Sequence, residues 1–271
     1  MSRLKEFARD WLPPVVVRLV QKRRSSGLYF DGDFASWEEA NAHCTGYDAK
    51  DILDKVLAAT LKVKYGEAVF ERDSVLFDEI EYSWPVLTGL MWASARNDGK
   101  LNVLDFGGAL GSGYYQNRKF LQSLPEVKWN VVEQPHYVEA GQKHIEDEQL
   151  RFYKTIEECL IENYPNVILL SSVMQYLPTP FDTLSDLCKI KADTLIFDRT
   201  SFSLTNQDTI KLQHVPADIC EATYPCHTFS EDNFRKLVSE EGYQLLESFN
   251  SLDAFDHYTY WCGHIFSRQN L

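Results

Sequence analysis

Val103-Leu104-Asp105-Phe106-Gly107-Gly108-Ala109-Leu110-Gly111-Ser112-Gly113 is the stretch that decides how this chain is read. Apolar, β-favouring positions lead into an acid, glycines follow at 107, 108 and 111, and a helix-forming segment comes next. That order describes a strand that ends, turns tightly and feeds a helix N-terminus. Glycine permits φ > 0 and lets a ligand lie against the main chain. The helix end offers unpaired N–H groups at the positive pole of its dipole. Such geometry holds a nucleotide or a nucleoside.

Two details favour S-adenosylmethionine over a dinucleotide. Asp105 stands directly before the glycines, where a carboxylate repels a pyrophosphate and suits an ammonium group. Glu133 ends the next apolar strand (Trp129, Val131, Val132), twenty-two residues after Gly111. An acid at about that distance accepts hydrogen bonds from ribose hydroxyls in this class of fold. It fits the adenosine of either ligand, so it supports the fold more than the choice of cofactor.

The chain has 271 residues and a net charge of −13, room for one substantial core and a balance that argues against general nucleic-acid binding. Residues 1–26 run against it, with seven basic and two acidic side chains. Trp11, Leu12 and the valines at 15–17 lie there too, interrupted by Pro13-Pro14. Two readings fit this appendage: a segment resting on an anionic membrane surface, or a helix packed on the domain or a partner. The six cysteines, at 44, 159, 188, 220, 226 and 262, form no CxxC pair and show no zinc-ligand spacing with histidine. They read as small buried residues of a protein in a reducing cytoplasm, and no apolar run reaches membrane-spanning length.

Residues 27–100 read as mostly helical. Ser36 and Glu39 form a capping-box pattern, residues 50–63 carry core-facing apolar spacing, 75–95 read similarly with Pro85 starting or kinking a helix, and Asn97-Asp98-Gly99 is a turn. From Leu101 strands alternate with helices. Strands are expected near 101–106, 128–133, 150–153, 166–171 and 193–198, with helices near 112–124, 135–147, 155–162 and 179–189. An irregular stretch over about 199–229 follows, then a helix near 230–241 capped by Ser230, and two strands near 243–249 and 258–267. The fold class expected is α/β: a mostly parallel sheet covered on both faces and closed by a C-terminal antiparallel hairpin.

With those segments in view the chain resembles class I S-adenosylmethionine-dependent methyltransferases. More narrowly, it is similar to a family of methyltransferases encoded in bacterial surface-polysaccharide (capsule or O-antigen) gene clusters. The resemblance rests on ordered segments over about 230 residues. They include Gly32–Ala40, Glu71–Ile80, Tyr82–Pro85, the glycine loop, Tyr115–Arg118, Val132–His136, Gln149–Tyr153, Leu169–Leu177, Phe197–Thr200, and Val215-Pro216 through Tyr224-Pro225. It implies a seven-stranded Rossmann-like sheet with the cofactor over its carboxyl edge. Asp105, Gly107, Gly108 and Gly111 would surround the methionine part, Glu133 the ribose, Gln134 the adenine, and Ser171 and Ser172 would face cofactor and acceptor. Two positions depart from the general pattern. Ala109 stands where a further glycine is common, tolerable if its φ stays negative. Asn166 opens the fourth strand in place of an aspartate, a change expected to matter little. The Asp-Pro-Pro-Tyr or Asn-Pro-Pro-Tyr signature of many N-methylating enzymes is absent.

Methyl transfer from a sulfonium is an in-line displacement in which the protein mainly aligns the reactants, and a hydroxyl acceptor must also lose a proton. His136, His214 and His227 are the histidine candidates for the base. Tyr176 and Arg199 follow strands four and five, at the edge where ligands bind, and Arg199 suits a phosphate or carboxylate. Arg72, Asp73, Glu81 and Tyr82 are expected in lid helices before the first strand. No metal cluster is apparent. The expected activity is O-methylation of a carbohydrate, an activated sugar or a phosphate-type oxygen, in the cytoplasm or peripherally at the inner membrane. The competing readings are a nicotinamide-dependent sugar-modifying enzyme, which should show a Tyr-x-x-x-Lys pair near strand five or a second phosphate-binding glycine and shows neither, and an inactive scaffold of a glycan assembly complex.

Overall fold

The computed structural model describes residues 29–44, 49–72, 74–215, 222–252 and 259–269. The expectations for residues 1–26, for Asp73 and for Cys220 lie outside the described residues. The chain runs β1 (Tyr29–Phe34), α1 (Trp37–Ala42), α2 (Ala49–Lys64), β2 (Phe70–Arg72), β3 (Val75–Phe77), α3 (Trp84–Ala95), β4 (Lys100–Phe106), α4 (Ser112–Leu121), β5 (Glu126–Val132), α5 (Pro135–His144), β6 (Leu150–Tyr153) and α6 (Ile156–Glu162). It continues through β7 (Val167–Ser171), a 3₁₀ turn at Met174–Tyr176, α7 (Pro180–Cys188), β8 (Thr194–Ser203), β9 (Thr209–Val215), β10 (Ala222–Thr228), α8 (Glu231–Glu240), β11 (Tyr243–Asn250) and β12 (Thr259–Arg268).

Seven strands form one sheet in the order β11-β12-β8-β7-β4-β5-β6. The five from β4 to β8 are parallel, and β12 runs antiparallel between β8 and β11. This is the Rossmann-like sheet with a C-terminal antiparallel hairpin that the alternating pattern predicts. After β4 the chain builds outward through β5 and β6, then returns to the other side of β4 with β7. Ligands of open α/β sheets bind at such a reversal, beyond the carboxyl ends of the strands.

Period-two alternation divides the core between the two faces. Val103, Leu169 and Ile196 pack on one side with residues of α2 to α5. Leu104, Ile168, Leu170 and Phe197 pack on the other with residues of α6 to α8. Helix starts obey local chemistry: the hydroxyls of Ser36, Thr155 and Ser230 accept the N–H groups of Glu39, Glu158 and Asn233, and Pro85 sits in the first turn of α3. The Ser36–Glu39 box closes in a shifted form, because the Glu39 carboxylate accepts from Ala35 rather than from Ser36.

Two expectations are corrected. Residues 27–100 hold α1 to α3 but also strands β1, β2 and β3, so 75–77 is a strand and the helix begins only at Trp84. The stretch 199–229 is not irregular: β8 continues to Ser203, and β9 and β10 pair antiparallel with each other while β1 pairs on the far side of β9. The resulting sheet, β1-β9-β10, stands beside the main one. Asn166, finally, is structural. Its Oδ1 accepts the Asn102 N–H at 2.9 Å and its amide donates to the Lys100 carbonyl at 3.0 Å, joining the entrances of β4 and β7. We expect Asn166→Ala to lower stability by about 1–2 kcal/mol, the usual cost of leaving such partners unmade; an unchanged urea midpoint would contradict this role.

Candidate functional site

One cavity of about 690 Å³ opens at the carboxyl edge of the sheet, in the upper part of the ~300–1,000 Å³ range of ligand pockets. The loop between β4 and α4 forms its floor. Asp105 is 2% exposed, and its Oδ2 accepts the Trp129 indole N–H at 2.8 Å. Gly108 is required here by space: a Cβ would lie 2.4 Å from Asp105 Oδ2. Gly111 is required by conformation, since it caps α4 at φ 87°. Ala109 overturns the condition set for it, because its φ is +49°. The turn nevertheless has a use, as the Ala109 N–H is placed to favour the charged form of the Glu133 carboxylate. The opening of α4 is held from β2, where the buried Glu71 accepts from Ser112 and, at 3.3 Å, from Thr60.

Glu133 follows β5 and also accepts the Gln134 N–H at 2.8 Å. Its carboxyl is raised above the ordinary range by burial, against the pull of those two amides and of His136. Burial likewise pushes Asp105 up to about 7; the Trp129 bond opposes the shift and the charge of Glu133 adds to it. Asn117 lines the same cavity one helical turn on. Its amide donates to the Gly113 carbonyl, and its buried Oδ1 has no hydrogen-bond partner among the described residues. This end of the cavity is therefore rich in buried acceptors. It fits the ammonium of a bound amino acid group, and Glu133 fits a vicinal diol.

Most of the residues singled out in the sequence come together. Asp105, Gly107, Gly108, Glu133, Gln134, His136, Ser171, Ser172, Tyr176 and Arg199 all line the cavity, while Gly111 shapes it from behind. Two histidines do not line it. His214 faces away from it, stacked on Tyr29 at 4.3 Å and bonded to Asp31 at 2.9 Å; its strand neighbours Gln213 and Val215 face in. His227 lies behind Trp37, stacked at 4.9 Å, and burial lowers its pKa. Arg72 lines the cavity from a strand rather than a lid helix, whereas Tyr82 packs against Trp84 and Phe120.

The sequence reading missed Asp198 and Gln213. Asp198 is 6% exposed, lines the cavity, and its carboxylate accepts from Ser171 at 3.3 Å and Ser251 at 3.5 Å. Gln213 is buried between two hydroxyls, accepting from Tyr176 at 3.0 Å and donating to Tyr224 at 2.8 Å. Asp198 follows an apolar run, and what sets it apart is its register with Ser171, which the sequence alone does not show. Among the described residues one group has metal-ligand character, Glu231, Cys262 and His264. None of them lines the cavity, and Glu231 already binds Arg235 and Tyr260.

No known family profile matches the chain, and no curated protein matches it. Solved structures with similar backbones include magnesium protoporphyrin IX methyltransferase from Synechocystis PCC 6803 with bound SAM (13% identity, 83% of this chain and 99% of that one, TM-score 0.44). The N-terminal domain of EvdMO1, crystallised in the presence of SAH and D-fucose, is another (11%, 83% and 98%, 0.46). A third is an S-adenosylmethionine-dependent methyltransferase from Clostridium acetobutylicum ATCC 824 (11%, 68% and 91%, 0.44).

Asp105 gives a pH prediction. Its folded pKa of about 7 lies above the model-compound value of 3.8, so the neutral carboxyl favours the folded state. That contribution is complete below pH ~4 and is lost as pH rises through 7, on the order of 4 kcal/mol in all. The urea midpoint of the ligand-free protein should fall from pH 5 to pH 8, and fall less in Asp105→Asn; parallel slopes would assign the loss to other groups.

Proposed function

We propose that this chain is an S-adenosylmethionine-dependent methyltransferase that methylates an oxygen of a carbohydrate-type acceptor. The observation that carries the reading is the joint placement of Asp105, Glu133 and the glycine turn around one cavity at the reversal point of the sheet. The cofactor supplies a methyl group already activated on a sulfonium. Asp105 and Asn117 offer acceptors to its ammonium, Glu133 binds the ribose hydroxyls, and Gln134 lies toward the adenine. The glycine turn would bring main chain to the ligand, with Gly107 and Gly108 lining the cavity.

What remains for the protein is to align an acceptor hydroxyl and take its proton. Asp198 is the group we assign to that step, in place of the histidines: it is buried, it lines the cavity, and Ser171 and Ser251 orient it. Tyr176, Gln213 and Tyr224 form a hydrogen-bonded wall opposite, suited to a polyhydroxylated ligand. The resemblance to the surface-polysaccharide family supports a sugar as acceptor and a cytoplasmic site of action. A membrane contact through residues 1–26 is part of the same proposal. Among the described residues no helix is long and apolar enough to cross a membrane.

Calorimetric titration should give micromolar binding of S-adenosylmethionine and S-adenosylhomocysteine and none of NAD. NAD binding alone would replace this reading with the nicotinamide-dependent one, and binding of none of the three would favour the scaffold. Glu133→Ala should weaken cofactor binding by ~1–3 kcal/mol. Asp198→Asn should leave cofactor affinity within about threefold while slowing transfer by ~10²–10⁴, with loss of the acidic limb of the pH–rate profile.

A further inference from the structure

Two arginines, Arg72 and Arg199, line the cavity together with aromatic residues. Arg72 comes from β2, where it lies over the Phe77 ring at 5.6 Å, a contact that directs the fork. Arg199 comes from β8 and has φ +49°. A non-glycine residue keeps such a backbone only where its surroundings over-determine it, and these outliers gather at functional sites. Here the surroundings are visible. The Arg199 N–H donates to Ser251 Oγ at 3.0 Å, and its carbonyl accepts from Gln175 at 3.1 Å. The same Gln175 amide reaches Ser172 Oγ at 3.3 Å, and Ser172 is itself left-handed at φ +57°. A fully buried glutamine thus staples two left-handed residues that follow the ends of the parallel pairing between β7 and β8.

The arginines also stand against the charge of the whole. A chain of net −13 repels anions from most of its surface, yet both cationic side chains lining this cavity, apart from His136, are arginines. Arginine presents a planar fork that pairs bidentately with phosphate oxygens. Trp37, Tyr176, Tyr224 and Trp261 line the same cavity.

Resting on the methyltransferase reading, we propose that the acceptor is a phosphate-bearing sugar. Its phosphate is gripped by Arg72 and Arg199, and a sugar hydroxyl is turned toward Asp198. The phosphate is the handle and the hydroxyl oxygen forms the new bond to carbon. As the C–S bond breaks, its electron pair stays on sulfur, and the hydroxyl proton passes to Asp198.

The test is calorimetry on the full chain saturated with S-adenosylhomocysteine, titrated with glucose 1-phosphate, UDP-glucose, glucuronate and glucose. Either phosphate probe should bind at least about tenfold tighter than glucose and glucuronate, and the two together separate a monoester handle from a diphosphate. Arg72→Gln and Arg199→Gln should each weaken the phosphate probe about tenfold or more, and Arg199→Lys by less. S-adenosylhomocysteine affinity unchanged within about threefold certifies the folded variants. Phosphate probes no tighter than glucose or glucuronate, or indifference to both glutamine variants, overturns the proposal. So does loss of S-adenosylhomocysteine affinity in the variants, which would assign the guanidinium to the cofactor carboxylate. If S-adenosylhomocysteine fails to bind the unaltered chain, the methyltransferase reading falls. The same titrations of the chain alone then decide the phosphate grip by the same criteria.

Discussion

The bond between Asp105 and the Trp129 indole is the constraint on which the site depends. It joins a carboxyl near the end of β4 to the strand beside it, almost wholly buried at the base of the cavity. One donor does not satisfy a carboxylate in such surroundings, and the raised pKa expresses that shortfall. Every neighbour is shaped by it. Gly108 leaves out a Cβ that would strike the carboxyl, and Gly113 lets Trp129 approach to 3.3 Å of where its own Cβ would stand. The fold thus holds an acid ready for a cation, at the cost of some stability in the empty protein.

How much of this could be read from the sequence follows from which residues face two ways. Between Leu101 and Asp198 the central strands β4, β7 and β8 are buried on both faces along most of their length, so apolar runs reveal them, the flanking β5 and β6 keep apolar alternation, and several of the helices between have caps or prolines where a helix should begin. Beyond Asp198 the signal weakens. β9 reads Thr-Ile-Lys-Leu-Gln-His-Val, an alternation that is there to be seen, but polar residues occupy its cavity face because that face binds rather than packs. β1 contains Asp31, Gly32 and Asp33, residues poor in strands, and only its pairing with β9 makes it one.

The candidate site was legible where chemistry and conformation coincide, as in the glycine loop and Glu133. It was not legible where strand parity decides. His214 and Gln213 are adjacent, and one step of the pleat puts the histidine outside and the glutamine in. Asp198 gave no sign of its own because an acid after an apolar strand has many uses. What distinguishes it is its register beside Ser171 and the left-handed residue that follows it. Ala109 teaches the converse, since a residue disfavoured for its turn is retained where the turn aims an N–H at Glu133.

The side sheet carries a consequence for the order in which the molecule assembles. The bond from His214 to Asp31 spans 183 residues, and the parallel strands lie entirely between them. During synthesis β1 leaves the ribosome first and waits for a partner made near the end. The cavity floor between β4 and α4 can consolidate before the wall that includes β9 and β10 exists. Closure of that wall carries the long-loop entropy that slows folding in proteins of high contact order, so it is the step at which a refolding chain would complete the enclosure of the cavity.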